Sequence, residues 1–197
     1  MAPQESDRDR TSHGDAGTAF HDALPTEGMR SMLRHWIDCR TGTALPQRPP
    51  FKPLLLPREL QSIQLHERHA DDRYLCRVSG SHIVAVLGFE STNRYIDEVI
   101  SAPQLKSRTA LLNEALDLGR PIFYSGMLAI RGSEWRGMRR LLLPFMKGDM
   151  PCLLSMLRFV TDADLQLVVP GAGADSAGVR AKLVLGEDEI AVLRQRP

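Results

Sequence analysis

The chain has 197 residues, 43% of them hydrophobic, and its 25 basic and 24 acidic side chains leave a net charge of +1. This balance argues against a nucleic-acid-binding domain, since such domains usually carry a basic excess. Three cysteines at wide spacing argue against a disulfide framework and favour a reducing compartment. Residues 1–25 lack the apolar segment of a signal peptide, and no apolar run is long enough to span a bilayer. We therefore expect a cytoplasmic protein that binds neither nucleic acid nor membrane.

The chain begins with a polar segment that is followed by an amphipathic helix. Residues 1–25 are rich in Asp, Arg, Ser, Gly and Thr and are predicted to be disordered. Thr26 is a suitable N-cap for the helix. Apolar residues at helical spacing predict a face that forms an interface with the sheet, with a second subunit, or with both. They are Met29, Met32, Leu33, Trp36 and Ile37.

Five prolines between residues 45 and 57 predict an extended connector, because proline removes a backbone donor and restrains the preceding residue. A first strand is predicted near residues 63–67. Residues 66–72 are predicted to form a polar, solvated hairpin loop. In the strand that begins at Arg73, alternation places Tyr74, Cys76 and Val78 on one face.

Two short helices and one long helix are predicted next. The short helices contain Ile83 and Leu87, and then Tyr95 and Ile96. The long helix is predicted to begin with a capping box at Ser101 to Gln104 and to end at Gly119. Its apolar stripe includes Leu112 and Leu116.

Three strands then form a predicted meander over residues 121–130, 135–146 and 151–160, joined by turns with good hairpin chemistry. Residues 141–146 and 152–157 are apolar at nearly every position, so both faces of the sheet must be covered. This order of elements predicts an α+β fold with short helices over one face of an antiparallel sheet. Beyond it, residues 165–169 suggest a short strand, residues 170–178 a linker, and residues 179–197 a short appended element or a docking tail.

Several short motifs occur in an order that resembles a known family. They are Trp36 and Arg40, Leu45-Pro46 with Arg48, Phe51 to Pro53, Leu56-Pro57, Arg73-Tyr74, Arg77 to Ser81, Gly88, Thr92, Arg94, and Leu143-Pro144 before Lys147-Gly148-Asp149. From residue 29 to 160 the chain resembles the PAS sensor fold, and more narrowly a single-domain bacterial branch with a Trp-bearing helix and a proline-rich lead. It departs from that pattern at Pro49-Pro50, where an acidic or polar lead is usual, and at Ser81, where threonine is common.

The resemblance implies a five-stranded antiparallel sheet around a small cavity, with an N-terminal amphipathic helix flanking the sheet. It also implies a homodimer and a sensory or regulatory module that acts by binding a small ligand or a signalling protein, without catalysis. The chain then divides into a tail (1–25), a helix with its connector (26–57), a PAS-like domain (58–160) and a C-terminal extension (161–197). A ligand-free interaction adaptor and an α+β pocket enzyme are the alternatives.

Strand parity and helix stripes suggest which residues line the cavity. They are Tyr74, Cys76, Val78, Ile83, Leu87, Tyr95, Ile96, Leu112, Leu116, Tyr124, Met138 and Leu154. The cofactor is left unknown. The resemblance implies that a haem sensor of this fold would usually carry a histidine on the long helix, which has none here, so haem is disfavoured. It also implies that a covalent flavin photosensor would need a cysteine at the turn after the short helices, and Ser91 to Arg94 has none, so covalent flavin is disfavoured as well.

The sequence carries no clear catalytic or metal-binding motif. His66 and His69 have an acid between them but no third ligand nearby, so no metal site is predicted. No nucleophile elbow or phosphate loop occurs. Glu90, Asp97, Glu98 and Glu114 fall near corners or on wet faces, which argues against an enzyme. Arg136, Arg139, Arg140 and Lys147 form either a patch for an acidic partner or anionic ligand, or a charged sheet margin.

Overall fold

The structure is a computed structural model that describes residues 16–48, 57–129, 135–161 and 179–195. Its helices are α1 (Ala16–Ala23), α2 (Glu27–Asp38), α3 (Ser81–Leu87), α4 (Ala102–Leu118) and α5 (Glu187–Arg194), with 3₁₀ turns at Pro57–Ser62 and Ile96–Glu98. Its strands are β1 (Ile63–Arg68), β2 (Tyr74–Ser79), β3 (Arg94–Tyr95), β4 (Ile122–Ala129), β5 (Trp135–Lys147), β6 (Met150–Val160) and β7 (Val179–Val184).

All seven strands form one antiparallel sheet in the order β3-β2-β1-β6-β5-β4-β7. The predicted α+β class and antiparallel sheet are confirmed, with two strands more than the five expected. The additional strands are the edge strands β3 and β7. The alternation of apolar and polar residues predicts neither strand clearly, because β3 has only two residues and β7 lies in a charged segment.

The two faces of the sheet are covered by different helices, as the doubly apolar strands require. The back face packs against α1, α2 and α5, where the cluster includes Phe20, Trp36, Leu141, Leu143 and Leu193. The front face packs against α3 and α4, where the cluster includes Ile83, Leu112, Tyr124, Leu142 and Leu157. Side chains two residues apart in a strand share a face, so each central strand contributes to both clusters.

The five apolar side chains of α2 are between 0% and 1% exposed, because they pack on the back of the sheet within the same chain. They therefore form an intramolecular interface and leave no free apolar face for a second subunit. Thr26 caps this helix as predicted, since its hydroxyl accepts a hydrogen bond from the Met29 amide at 3.2 Å. By contrast, the Ser101 side chain makes no cap at α4, so the predicted capping box there is wrong.

The predictions for the two ends of the chain need correction. Residues 16–23 form α1 instead of a disordered tail, and Phe20 and Leu24 are buried in the back-face core. Residues 179–194 supply β7 and α5, so this segment is part of the sheet and its core. The predicted strand at 165–169 and the linker at 170–178 lie outside the described residues.

The far end of β5 extends past β4 and is covered by the segment that follows α2. The Met146 amide donates to the Pro46 carbonyl, and the Arg48 amide donates to the Met146 carbonyl, both at 2.8 Å. Two residues away, the Pro144 carbonyl accepts a hydrogen bond of 2.5 Å from the Trp36 indole. Proline is tolerated here because its missing amide faces an edge that has no neighbouring strand among the described residues.

Arg40, which follows α2, connects this helix to α5 through an ion pair. Its guanidinium forms a bidentate pair with Glu187 at 2.7 and 2.8 Å and lies 5.4 Å from the centre of the Trp36 ring. Arg194 in turn donates to the carbonyl oxygens of Arg40 and Ile37. The Arg40 side chain is only 2% exposed, so Glu187 supplies the counter-charge that its burial requires.

Gly80 permits the close approach of α3 to the preceding 3₁₀ turn. A Cβ at this position would lie 2.4 Å from the Gln61 carbonyl group and 2.5 Å from the Leu60 oxygen. Because these are backbone atoms, we expect Gly80→Ala to lower the free energy of unfolding by about 2 kcal/mol, measured by urea denaturation.

Gly186 provides a matched control for this substitution. Both glycines are N-caps with negative φ, −64° at Gly80 and −75° at Gly186, so any change in capping is common to the two variants. A Cβ on Gly186 meets nothing closer than 3.4 Å. Equal losses in the two alanine variants would contradict the steric explanation.

Candidate site on the front face of the sheet

A row of buried polar side chains lies on the front face of the sheet, where a simple core would be apolar. The strand register places them together: Gln64 pairs with Ser155, His66 with Cys76, and Tyr124 with Arg140. All six residues are at most 2% exposed. The corresponding positions that face α2 are mostly aliphatic or aromatic.

Arg140 is the centre of this row and is fully buried. Its guanidinium donates to the Gln64 side-chain oxygen at 2.7 Å and to the Tyr124 hydroxyl at 3.2 Å, and its Nε has no acceptor among the described residues. Both acceptors are neutral, so no described carboxylate balances the charge. The predicted alternative of a charged sheet margin is therefore wrong for Arg140, although Arg136 is exposed.

His66 lies next to this arginine and is also buried, with its Nδ1 unpartnered among the described residues. Burial, together with the positive charges of Arg140 and Arg108, lowers the pKa of His66 to about 3. The prediction that residues 66–69 form a solvated loop is wrong, because His66 and Glu67 lie within β1.

The side chains of residues 66–69 also lie in different parts of the structure. Glu67 pairs with Lys147 at 2.9 Å near the back-face core, and His69 contacts the Tyr95 hydroxyl at 2.9 Å. Among the described residues, no three potential ligands come close enough to hold a metal ion.

The buried state of His66 predicts a pH dependence of stability. The unfolded chain takes up a proton below pH 6.5, whereas folded His66 resists protonation down to about pH 3. The contribution of neutral His66 to the free energy of unfolding is therefore fully present above pH 6.5. It is lost as the pH falls, by up to about 1.4 kcal/mol per pH unit. We expect His66→Gln to show a shallower decrease in urea-unfolding measurements between pH 7 and pH 4.5. Identical slopes would contradict a neutral buried imidazole.

A pocket of about 430 Å³ opens at the edge of the front face, between α3, the Ile96–Glu98 turn and the first turns of α4. We call it the front-face pocket. Its apolar lining residues are Leu87, Phe89, Val99, Ile100 and Leu128. Its polar lining residues are Arg94, Glu98, Ser101, Gln104 and Arg108.

Arg108 connects this pocket to the buried row. It is half-buried and makes no hydrogen bond or ion pair with any described residue. Burial and the like charge of Arg140 lower the pKa of Arg108 to about 10. Glu98 does not neutralise it, because the Glu98 carboxylate contacts Arg73 and the Tyr95 amide, each at 3.3 Å.

The structure brings most of the predicted cavity residues together on the front face. Those in the front-face core are Tyr74, Ile83, Leu87, Ile96, Leu112, Leu116, Tyr124 and Met138. Cys76 is buried beside them, and its sulfur lies 3.5 Å from the Ser91 hydroxyl. Of the twelve residues, only Leu87 lines the front-face pocket, and most of the others are packed core.

Three of the predicted cavity residues lie elsewhere. Val78 is 40% exposed, because a bulge at Arg77 moves it to the opposite face from Cys76. Leu154 packs in the back-face core, since in a strand that is apolar on both sides the parity cannot be read from hydrophobicity. Tyr95 is at the edge, where the Arg73 guanidinium stacks 3.8 Å from its ring centre.

Comparison with known proteins identifies the fold that carries this site. Residues 25–170, more than half of the chain, match the family described as a PAS domain. The chain belongs to this family. No curated protein sequence matches it significantly.

Two solved structures resemble it only distantly. The PAS domain of an HTR-like protein from Haloarcula marismortui is 18% identical, with a TM-score of 0.37, over 54% of this chain and 88% of that one. An RNA-binding light-oxygen-voltage receptor is 18% identical, with a TM-score of 0.35, over 57% of this chain and 32% of that one. The predicted family is confirmed, and membership makes this PAS domain a sensory or regulatory module.

The carboxylates considered for an enzyme are engaged in other contacts in this PAS domain. Asp97 and Glu98 bind Arg73, Glu114 binds Lys182, and Glu90 accepts a hydrogen bond from the Thr92 amide. The buried thiols are also poor nucleophiles, since burial raises the pKa of Cys76 and raises that of Cys152 to about 12. Among the described helices, none combines the length and apolarity needed to cross a membrane.

Proposed function

We propose that this PAS domain is a non-catalytic sensor that binds a small molecule on the front face of its sheet and transmits binding to another protein chain. The observation that carries this proposal is the difference between the two faces. The back face is filled by apolar side chains, whereas the front face buries Arg140, His66 and Gln64 beside a pocket. Burial of such groups is costly unless they are used or compensated.

The front-face pocket has the size and chemistry of a ligand site. Small-molecule sites commonly occupy roughly 300–1,000 Å³ and combine apolar walls with a few polar groups. The pocket of about 430 Å³ meets both conditions, since its lining includes Leu87 and Leu128 as well as Arg108.

Strand β5 provides a route from the pocket side to the helices at the back. Arg140 faces the front, while the adjacent Leu141 and Leu143 pack against the α2 layer. The Trp36 indole is hydrogen-bonded to the same strand at Pro144. A ligand that displaces β5 therefore changes how α2 packs on the sheet. The outer surface of α2 carries the exposed residues Arg34 and Asp38.

This outer surface is where we propose that a second copy of the chain, or a signalling partner, associates. The inner apolar face of α2 is already buried, so association has to use polar contacts that respond to small shifts. We expect an equilibrium between monomer and dimer, or between free and partner-bound protein, that moves when a ligand binds.

The experiment that tests ligand binding uses native mass spectrometry of the purified protein, followed by thermal-shift screening of small metabolites. Ser101→Trp places a large side chain at the pocket rim, and Ala110→Trp places one at an exposed position farther along α4. We expect ligands to raise the melting temperature of the wild type and of Ala110→Trp but not of Ser101→Trp. A hit that acts equally on all three proteins would locate binding elsewhere.

Light scattering after size exclusion, with and without the best ligand, then tests transmission. A ligand that binds in the pocket without changing the molar mass or the recovery of a partner would contradict signalling through association. A protein that binds no small molecule would instead act as a ligand-free adaptor.

A further inference from the structure

Resting on the proposed function, in which the front-face pocket is a ligand site, we propose that its ligand is a small carboxylic acid with an apolar body, held by Arg108. The chemistry of the pocket lining leads to this class of molecule. Five apolar side chains and two guanidinium groups, those of Arg94 and Arg108, line the pocket. Such a lining favours a molecule that combines an apolar body with an anionic group.

The charges around the pocket do not balance without an anion. Arg108 has no ion pair with a described residue, and behind it Arg140 is fully buried with only neutral acceptors. Two like charges at close range in a region of low dielectric repel each other, and each also loses hydration. A carboxylate at Arg108 removes most of this penalty.

The acidic side chains near the pocket do not neutralise Arg108. Glu98 lines the pocket, but its carboxylate is held by Arg73 and by the Tyr95 amide. Glu114 and Asp117, farther along α4, pair with Lys182 and Arg68. The positive charge of Arg108 is therefore available to a ligand.

The N-terminus of α4 also attracts an anion to the front-face pocket. The 17-residue helix begins at Ala102, and its first turn forms part of the pocket rim next to Ser101. The Ser101 side chain does not cap the helix, and the free amides at a helix N-terminus favour an anion. Arg108 lies two turns farther along the same helix, so both groups act on the same pocket.

Two donors in the buried row suggest how binding extends inward. The Arg140 Nε and the Ser155 hydroxyl are buried and have no partner among the described residues. Both lie on the front face of the sheet, against which α4 packs, and Arg108 of α4 interacts electrostatically with Arg140. A carboxylate that draws the Arg108 side chain outward gives these groups access to the ligand or to a water molecule.

The test compares 4-phenylbutyrate with the uncharged 4-phenylbutan-1-ol and with inorganic phosphate, using isothermal titration calorimetry at low salt. We expect the carboxylate to bind at least about tenfold more tightly than the alcohol or phosphate. Arg108→Met, which keeps the length of the side chain but removes its charge, is expected to abolish this preference. Arg34→Met, on the exposed side of α2, is the matched control and should retain it.

A stability measurement separates loss of the site from loss of the fold. Removal of an uncompensated charge should leave the melting temperature of ligand-free Arg108→Met equal to or higher than that of the wild type. Carboxylate binding no tighter than alcohol binding would overturn the proposal. Tight binding of the alcohol alone would do so while leaving the sensor function intact, and tighter binding of phosphate would replace the carboxylic acid by a phosphate ligand. If none of the three probes binds and native mass spectrometry shows no co-purified molecule, the sensor function fails as well.

Discussion

Truncation of the chain after Thr161 is expected to convert the protein into a partly unfolded state, although the remaining chain includes the meander that resembles a PAS domain. The truncation removes β7 and α5, and with them the buried side chains of Leu185, Ile190 and Leu193. Burial of such side chains stabilises a protein by roughly 1.5–3 kcal/mol each. Their combined loss approaches the total stability of an ordinary domain, about 5–15 kcal/mol.

The same truncation has an electrostatic consequence at α2. Arg40 would lose Glu187, its only ion-pair partner among the described residues, and would remain as a charge at the edge of an uncovered core. The truncation also exposes the edge of β4 that pairs with β7 in the complete protein. We expect loss of near-ultraviolet circular dichroism and of a cooperative melting transition. A truncated protein with the wild-type melting temperature would show that α5 is dispensable.

Two neighbouring positions on α5 provide a finer version of this experiment. Leu193 is 7% exposed and faces the back-face core, whereas Val192 is 37% exposed. We expect Leu193→Ala to reduce the free energy of unfolding by about 2 kcal/mol, and Val192→Ala by less than about 0.5 kcal/mol. Similar values for the two variants would contradict the docking of α5 on the back-face core.

Substitution of Trp36 by alanine is expected to have the largest effect of any single change in α2. The side chain is 0% exposed, and deletion of a buried tryptophan usually costs about 3–5 kcal/mol. The Pro144 carbonyl would also lose the indole donor at 2.5 Å, at a point where no neighbouring strand replaces it. Urea denaturation followed by far-ultraviolet circular dichroism measures the change.

Phenylalanine at the same position separates packing from hydrogen bonding. Trp36→Phe retains most of the apolar contact but lacks the N–H group, so we expect a loss of about 1–2 kcal/mol. Arg34→Ala, on the exposed face of the helix, should change the stability by less than about 0.5 kcal/mol. If the phenylalanine variant were as unstable as the alanine variant, the hydrogen bond and not the packing would be the main contribution.

The parts of the fold that were predicted correctly depend on local pattern. The apolar stripe of α2 and its Thr26 cap follow from spacing alone, as do the three long strands β4, β5 and β6. The need to cover both faces of the sheet was also visible, because β5 and β6 are apolar at consecutive positions. Each of these features is encoded within a few residues.

The errors occurred where a distant contact overrides the local pattern. The bulge in β2 reverses the orientation of Val78, and only pairing with β1 reveals it. His66 looked solvated because its neighbours are polar, yet it lies in a strand whose front face is covered by α4. The charged composition of residues 179–195 concealed a strand and a helix that complete the back-face core.

By itself, the sequence determined the class of this protein: an amphipathic helix and an antiparallel sheet with the motifs of a PAS domain. Only the tertiary structure decided which strand positions face the pocket and that Arg140 is buried without an acidic partner among the described residues. The physical reason is that periodicity reports whether a face is covered, but not by what. The state of a buried charge is set by groups that are far away in the sequence, here Gln64, Arg108 and Tyr124.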